Sequence, residues 1–234
     1  MRAIKHKSIL FFLIMGFLFP FSLYGAERPP VKRVVIIDPA HGGADKGVKL
    51  SDDLFEKDVT LKIALALQQE LQASGGVSVQ LTRSSDREVP LAARNKIIQS
   101  AGRGILISLH VNAGFGKKAA GYEVYFPGFN AAAPARESGA SEIIRDMAGN
   151  KYLNESVGLA QGIMRDLQSV FPREDRGLRE APIPLLEGLA LPGVVVEIGF
   201  ATNGEDKAVI AGDKGQKAVA AALGKSVRNF IGNK

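Results

Sequence analysis

The sequence predicts an α/β domain: an open, twisted, mostly parallel or mixed sheet of about six strands with helices on both faces. Two observations carry this. Three near-continuous apolar runs, Val34–Ile37, Ile105–Leu109 and Gly193–Val196, read as strands buried on both faces. Between and after them lie segments of helical periodicity bounded by glycine and proline. A third observation bears on function. Each run ends in a residue able to do chemistry: the first reaches His41 through Asp38-Pro39-Ala40, the second meets His110, and the third meets Glu197. In open α/β sheets, ligands gather outside the carboxyl ends of strands.

The chain has 234 residues, 46% of them apolar and 23% charged, which is the balance of a globular protein with a substantial core. Formal net charge is +6, and Arg2, Lys5 and Lys7 supply three of those charges within a first segment free of acidic residues. The remainder is only mildly basic, too weak a bias for nucleic-acid binding. Cysteine is absent, which excludes disulfides, thiolate nucleophiles, cysteine-based zinc sites and lipoprotein modification. Any metal site must therefore use His, Asp and Glu.

A basic start followed by the apolar run Ser8–Tyr24 predicts a secretory signal peptide over residues 1–26, or an uncleaved membrane anchor. Either delivers the domain outside the cytoplasm. Residues 27–31, with Pro29-Pro30, read as an extended linker, and residues 32–234 as one domain.

After the His41 turn comes a polar loop, Ala44–Leu54, whose Asp45, Lys46, Asp52 and Asp53 read as solvated. A helix follows over about Glu56–Ala73, stopped by Ser74-Gly75-Gly76. Position alone assigns Glu56 to complementing the helix dipole. Val77–Leu81 alternates as a strand, Thr82–Asp86 turns, and Leu91–Ser100 reads as a helix broken by Gly102 and Gly104. The strand Ile105–Leu109 then ends at His110. A single histidine at a strand end is more often structural; two, with no others in residues 27–234, keep a shared metal site open as the alternative.

Gly121–Phe126 reads as a strand. Residues 127–152, rich in Ala, Gly, Ser and Asn, read as a short variable insert with one amphipathic piece, Ser141–Met147. Helix returns over Asn154–Val170, with Asn154 as N-cap and Phe171-Pro172 as stop. The charged stretch Arg173–Arg179 reads as a solvated loop in which Arg176 or Arg179 can meet an acidic substrate. Pro182–Leu186 is at most an edge strand. A carboxylate at the end of the last buried run, Glu197, is costly to desolvate unless paired with an arginine or used in chemistry. Asn203-Gly204 turns the chain into a final helix over about Gln216–Phe230.

Five stretches, in order, resemble the zinc-dependent N-acetylmuramoyl-L-alanine amidases of bacterial cell-separation enzymes and some endolysins. They are Ile37–Gly43, Glu56–Leu61, Leu81–Arg83 with Asp86 and Arg94, Ser108–Ala113, and Val196–Asn203. Together they span nearly all of Lys32–Phe230, and Ala40 departs from the family's usual glycine before the first histidine. The resemblance implies that His41, Glu56 and His110 bind one zinc per chain and that Glu197 is the catalytic carboxylate. It also implies substrate contacts by Asn112 and Arg94. The implied reaction cuts the amide joining the lactyl group of N-acetylmuramic acid to L-alanine in peptidoglycan, in the periplasm or cell envelope. Some relatives carry an inhibitory helix at the insert that an activator protein releases, which makes Glu142 a candidate inhibitory contact. Two other readings compete: a zinc peptidase acting within the stem peptide, and a non-catalytic peptidoglycan-binding module.

Overall fold

The computed structural model describes residues 33–128, 140–171 and 175–232, with the side chains of 140–146 and 175 outside the description. The expected leader and linker at 1–31 therefore lie outside the described residues. Among those described, no helix is long and apolar enough to cross a membrane.

In chain order the elements are β1 (Arg33–Pro39), α1 (Glu56–Ser74), β2 (Val77–Leu81), α2 (Leu91–Ser100), β3 (Gly104–Asn112), β4 (Tyr122–Pro127), α3 (Ala140–Leu167), β5 (Asp175–Ala181), β6 (Gly193–Phe200), α4 (Gly204–Ala211) and α5 (Asp213–Gly232). One six-stranded sheet runs β2-β1-β3-β6-β4-β5. Its first four strands are mutually parallel; β4 pairs antiparallel with β6, and β5 pairs parallel with β4. The sheet is mixed and carries helices on both faces, as the sequence predicts.

Alternate residues of the buried strands feed two cores of unequal size. Val35, Ile37, Ile105, Ile107, Leu109, Val194 and Val196 join the larger one with residues of α1, α3 and α5. Ile36, Leu106 and Val195 point the other way and meet Ile98 of α2 and the segment Leu185–Leu191. Along that second face the apolar residues give way, towards the carboxyl ends of the parallel strands, to Asp38, Ser108, His110 and Glu197. The site thus occupies the part of this face that the smaller core leaves uncovered.

Four expectations are corrected. The piece at 141–147 and the helix at 154–170 are one helix, α3, of 28 residues, because no proline separates them and Gly149 alone does not break a helix. Asn154 is accordingly inside the helix. The charged stretch read as a loop is β5, an edge strand whose charges blunt its unpaired side. Pro182–Leu186 is not a strand: it turns, with the amide of Leu186 donating to Ile183 O, and packs its leucines on the smaller core. Asn203 caps a further helix, α4, its side chain accepting from the amides of Glu205 (2.9 Å) and Asp206 (3.1 Å).

Candidate active site

Glu56 opens α1, and its carboxylate, only 2% exposed, is the centre of the site. Oε1 accepts from the amide of Val111 at 3.0 Å and lies 3.2 Å from His110 Nδ1. Oε2 accepts from the amide of Val48 at 2.9 Å and lies 3.1 Å from His41 Nε2. Burial pushes this carboxyl up, but the hydrogen bonds from His110, His41 and the two amides outweigh it and hold it at about 2. The His41 imidazole is raised to about 9, chiefly by its bond to Glu56, against burial and with help from Asp45. Positive charge is therefore favoured where these groups meet.

The three donor atoms lie within 4.8 Å of one another. Donors sharing a tetrahedral zinc stand about 3.3 Å apart, close to the two histidine–glutamate distances. Two imidazoles and one carboxylate are also a donor set that zinc accepts while keeping an open position. The residues fit a metal ion.

The His41 end of this set is braced from several directions. Its backbone takes φ 60, uncommon for a residue with a side chain. Arg94 Nη2 donates to His41 O at 2.8 Å, and Arg83 Nη2 donates to Ala40 O at 2.7 Å. Lys57 Nζ and Asp86 grip the carbonyl and the amide of Gly43 at 2.9 and 2.7 Å. His41 Nδ1 meets Asp45 Oδ2 at 2.8 Å, the carboxylate–histidine arrangement that fixes which ring nitrogen faces a metal. Gly47 closes the loop at φ +64; a Cβ there would stand 2.5 Å from Glu56 Oε2 and 2.6 Å from His41 Cδ2.

Glu197 stands opposite His110 across the β3–β6 ladder. Its Oε2 is the buried side-chain polar atom that, among the described residues, lacks a hydrogen-bond partner. Burial pushes its carboxyl up to about 7, with the Glu56 and Glu123 charges adding and the two imidazoles opposing. No arginine pairs with it among the described contacts, so the salt-bridged alternative for Glu197 does not hold.

The two residues expected to contact substrate both make bonds within the protein. Arg94, 8% exposed, pairs with Asp38 and donates to the carbonyls of Val89, Pro39 and His41. Asn112 donates to Glu123 at 3.1 Å and accepts from the amide of Ala113 at 2.8 Å. The Glu142 side chain lies outside the described residues. Asp45, read as solvated, and Asp38, Arg83 and Glu123 are functional supports that sequence reasoning missed. Asp38 and Arg83 carried a usable signal: charged residues abutting buried apolar runs.

The family model for N-acetylmuramoyl-L-alanine amidases (Amidase_3) matches residues 35–229. The chain is 27% identical over 228 residues to the N-acetylmuramoyl-L-alanine amidase AmiA of Escherichia coli (strain K12), covering 88% of this chain and 78% of AmiA. It is 29% identical over 225 residues to the amidase LytC of Bacillus subtilis (strain 168), covering 93% of this chain but 41% of LytC. The crystal structure of an N-acetylmuramoyl-L-alanine amidase from Clostridium difficile 630 superposes with a TM-score of 0.71 at 26% identity, over 86% of this chain and 98% of that one. With its matched span running through every strand of the sheet and all four candidate residues, this chain belongs to the Amidase_3 family of N-acetylmuramoyl-L-alanine amidases.

Proposed function

We propose that this amidase hydrolyses peptidoglycan with one zinc ion held by His41, Glu56 and His110 and with Glu197 as the proton-transfer group. The observation that carries the reading is the convergence of two imidazoles and a carboxylate beside a buried carboxylate oxygen that has no hydrogen-bond partner among the described residues. Zinc in such a donor set supplies Lewis acidity, lowering the pKa of water towards ~7 and polarising a carbonyl.

The remaining work falls to the chain. Glu197 accepts the proton of the attacking water and then delivers it to the leaving amine nitrogen, a base turned acid. A proton affinity raised by burial towards neutrality suits a group that must take and release a proton in one cycle. Asp45 keeps His41 Nε2 aimed inward, and Arg83 and Arg94 hold the strained turn that carries it. The bond cut joins N-acetylmuramic acid to L-alanine. Residues 1–26 act as leader or anchor, taking the domain to the periplasm or envelope where that bond lies. Position and composition support regulation by an activator through residues 127–152, with Glu142 as inhibitory contact; unchanged hydrolysis after deletion of Ala131–Asn150 would dispose of it.

The test is zinc content and mass spectrometry of released fragments for the parent, His110→Ala and Glu197→Ala. One zinc per chain, lost in the first variant and kept by an inactive second, with free peptides beginning at L-alanine, is the expected result. Fragments cut inside the stem peptide would make the protein a peptidase, and metal-free protein with full activity would remove the mechanism.

A further inference from the structure

Beyond Glu197, on the side away from the metal donors, one buried carboxylate gathers more cationic charge than it neutralises. Glu123, 4% exposed, stands opposite Glu197 across the β4–β6 ladder. Its Oε1 accepts from Arg176 Nε at 2.8 Å and lies 3.3 Å from Arg179 Nη2. Its Oε2 accepts from Tyr125 OH at 2.8 Å and from Asn112 Nδ2 at 3.1 Å. One carboxylate therefore faces two guanidiniums.

The strand departs from regularity to bring both there. Residues three apart in a regular strand point to opposite faces of the sheet. Between Tyr122 and Val124 the β4–β5 register slips, and within the slip Gly177 sits at φ +94, a conformation that favours glycine. Arg176 and Arg179 consequently reach the same carboxylate. They stay accessible, with side chains 35% and 43% exposed. The Arg176 guanidinium also lies 5.2 Å from the ring of Phe200, the last residue of β6, which fixes its orientation. A guanidinium offers five N–H donors in a rigid fork, and Glu123 engages only Nε of one and Nη2 of the other. An edge strand spending a bulge on two half-exposed arginines beside a catalytic carboxylate is built to meet an anion.

We propose that Arg176 and Arg179 form a subsite for a free carboxylate on the stem-peptide side of the scissile amide. This rests on the amidase reading above. In uncut substrate the lactyl carboxyl is tied up in the amide, so free carboxylates near the bond belong to the peptide. Arg176 and Arg179 are specificity residues here, and Glu123 positions them.

The experiment compares two soluble muramoyl peptides that differ only in a free carboxylate or a carboxamide on the residue after L-alanine. It uses the full chain, Arg176→Gln/Arg179→Gln, and the conservative Arg179→Lys. The parent is expected to favour the carboxylate form about tenfold in kcat/KM, chiefly through KM. The double variant, although less stable for leaving Glu123 without its guanidiniums, should cleave both forms at the rate of the carboxamide with zinc content near the parent's, and the lysine variant should keep part of the preference. A parent that releases peptide from both forms equally well overturns the subsite and leaves the amidase reading standing. So does a double variant that loses activity towards both forms in equal proportion. A zinc-loaded parent that cleaves neither overturns the amidase reading, and the subsite with it. Because the first comparison uses unaltered protein, the proposal stands or falls even if the double variant does not fold.

Discussion

Four arginines flank the site in two pairs, and the same side chain serves two ends. Arg83 and Arg94, on the β1 side, are 1% and 8% exposed, and their guanidiniums are spent on backbone carbonyls and Asp38. Arg176 and Arg179, on the β5 side, keep 35% and 43% of their side chains in water and share one carboxylate. The inner pair is scaffolding for the turn that carries His41; the outer pair faces solvent. What separates them is how many donors the fold consumes, a quantity that residue type does not reveal. Most N–H groups of the buried inner pair are taken by the fold, which leaves little capacity for substrate, whereas the half-exposed outer pair has donors to spare.

The contrast gives graded predictions. Glu197→Gln should have the largest effect, lowering turnover by about 10²–10⁴-fold while zinc content, measured by atomic absorption, stays near one per chain. Next comes Asp38→Ala, which leaves Arg94 buried without its counter-ion and should cost about 3–5 kcal/mol in urea unfolding. If that loss were under about 1 kcal/mol, the inner pair would not be the scaffold described. Asp45→Asn should weaken metal affinity by about 10–100-fold in a chelator competition, with little change in Tm, since its exposed side chain bonds only the far nitrogen of His41 and the amide of Gly47.

The smallest effect is expected away from both pairs. Asp166 accepts from Ser226 at 2.8 Å and pairs with Lys225 at 3.0 Å, joining α3 to α5, and its carboxyl is held below the usual carboxylate range. Burial opposes that shift and the hydrogen bonds from Ser226, Lys225 and Arg165 overcome it. A depressed folded-state pKa adds stability above the unfolded value and loses it as pH falls through the folded one. Asp166→Asn should therefore flatten the acid limb of the stability–pH curve and leave activity at neutral pH unchanged.

Much of this was legible in the amino-acid sequence because buried parallel strands announce themselves. The runs ending near His41, His110 and Glu197 required no tertiary information, and β2 and α2 begin and end where expected. Glu56 needed the family pattern, since a carboxylate at a helix start satisfies the helix dipole equally well. Asp45 was hidden because a loop residue's partner depends on how the loop folds back. β5 was hidden because Asp-Arg-Gly-Leu-Arg-Glu-Ala lacks alternation: its bulge breaks the period of two by which strands are recognised. The stretch least readable as a strand is thus the one whose irregularity aims two arginines at Glu123.

The strand order has a consequence for how the protein comes into being. Synthesis runs from the amino terminus, and β1, α1 and β3 pack together using only residues up to Asn112. The three residues proposed as metal donors are all made by then, although α1 also packs on α5 at the far end of the chain. β6, which carries Glu197, pairs with β3 only after more than eighty further residues have been made. Such distant pairing is slow because chain entropy must be overcome before contacts reward it. A chain cut before β6 would contain the proposed donor residues and lack the proposed proton-transfer group, so competence for hydrolysis depends on the sixth strand closing against the third.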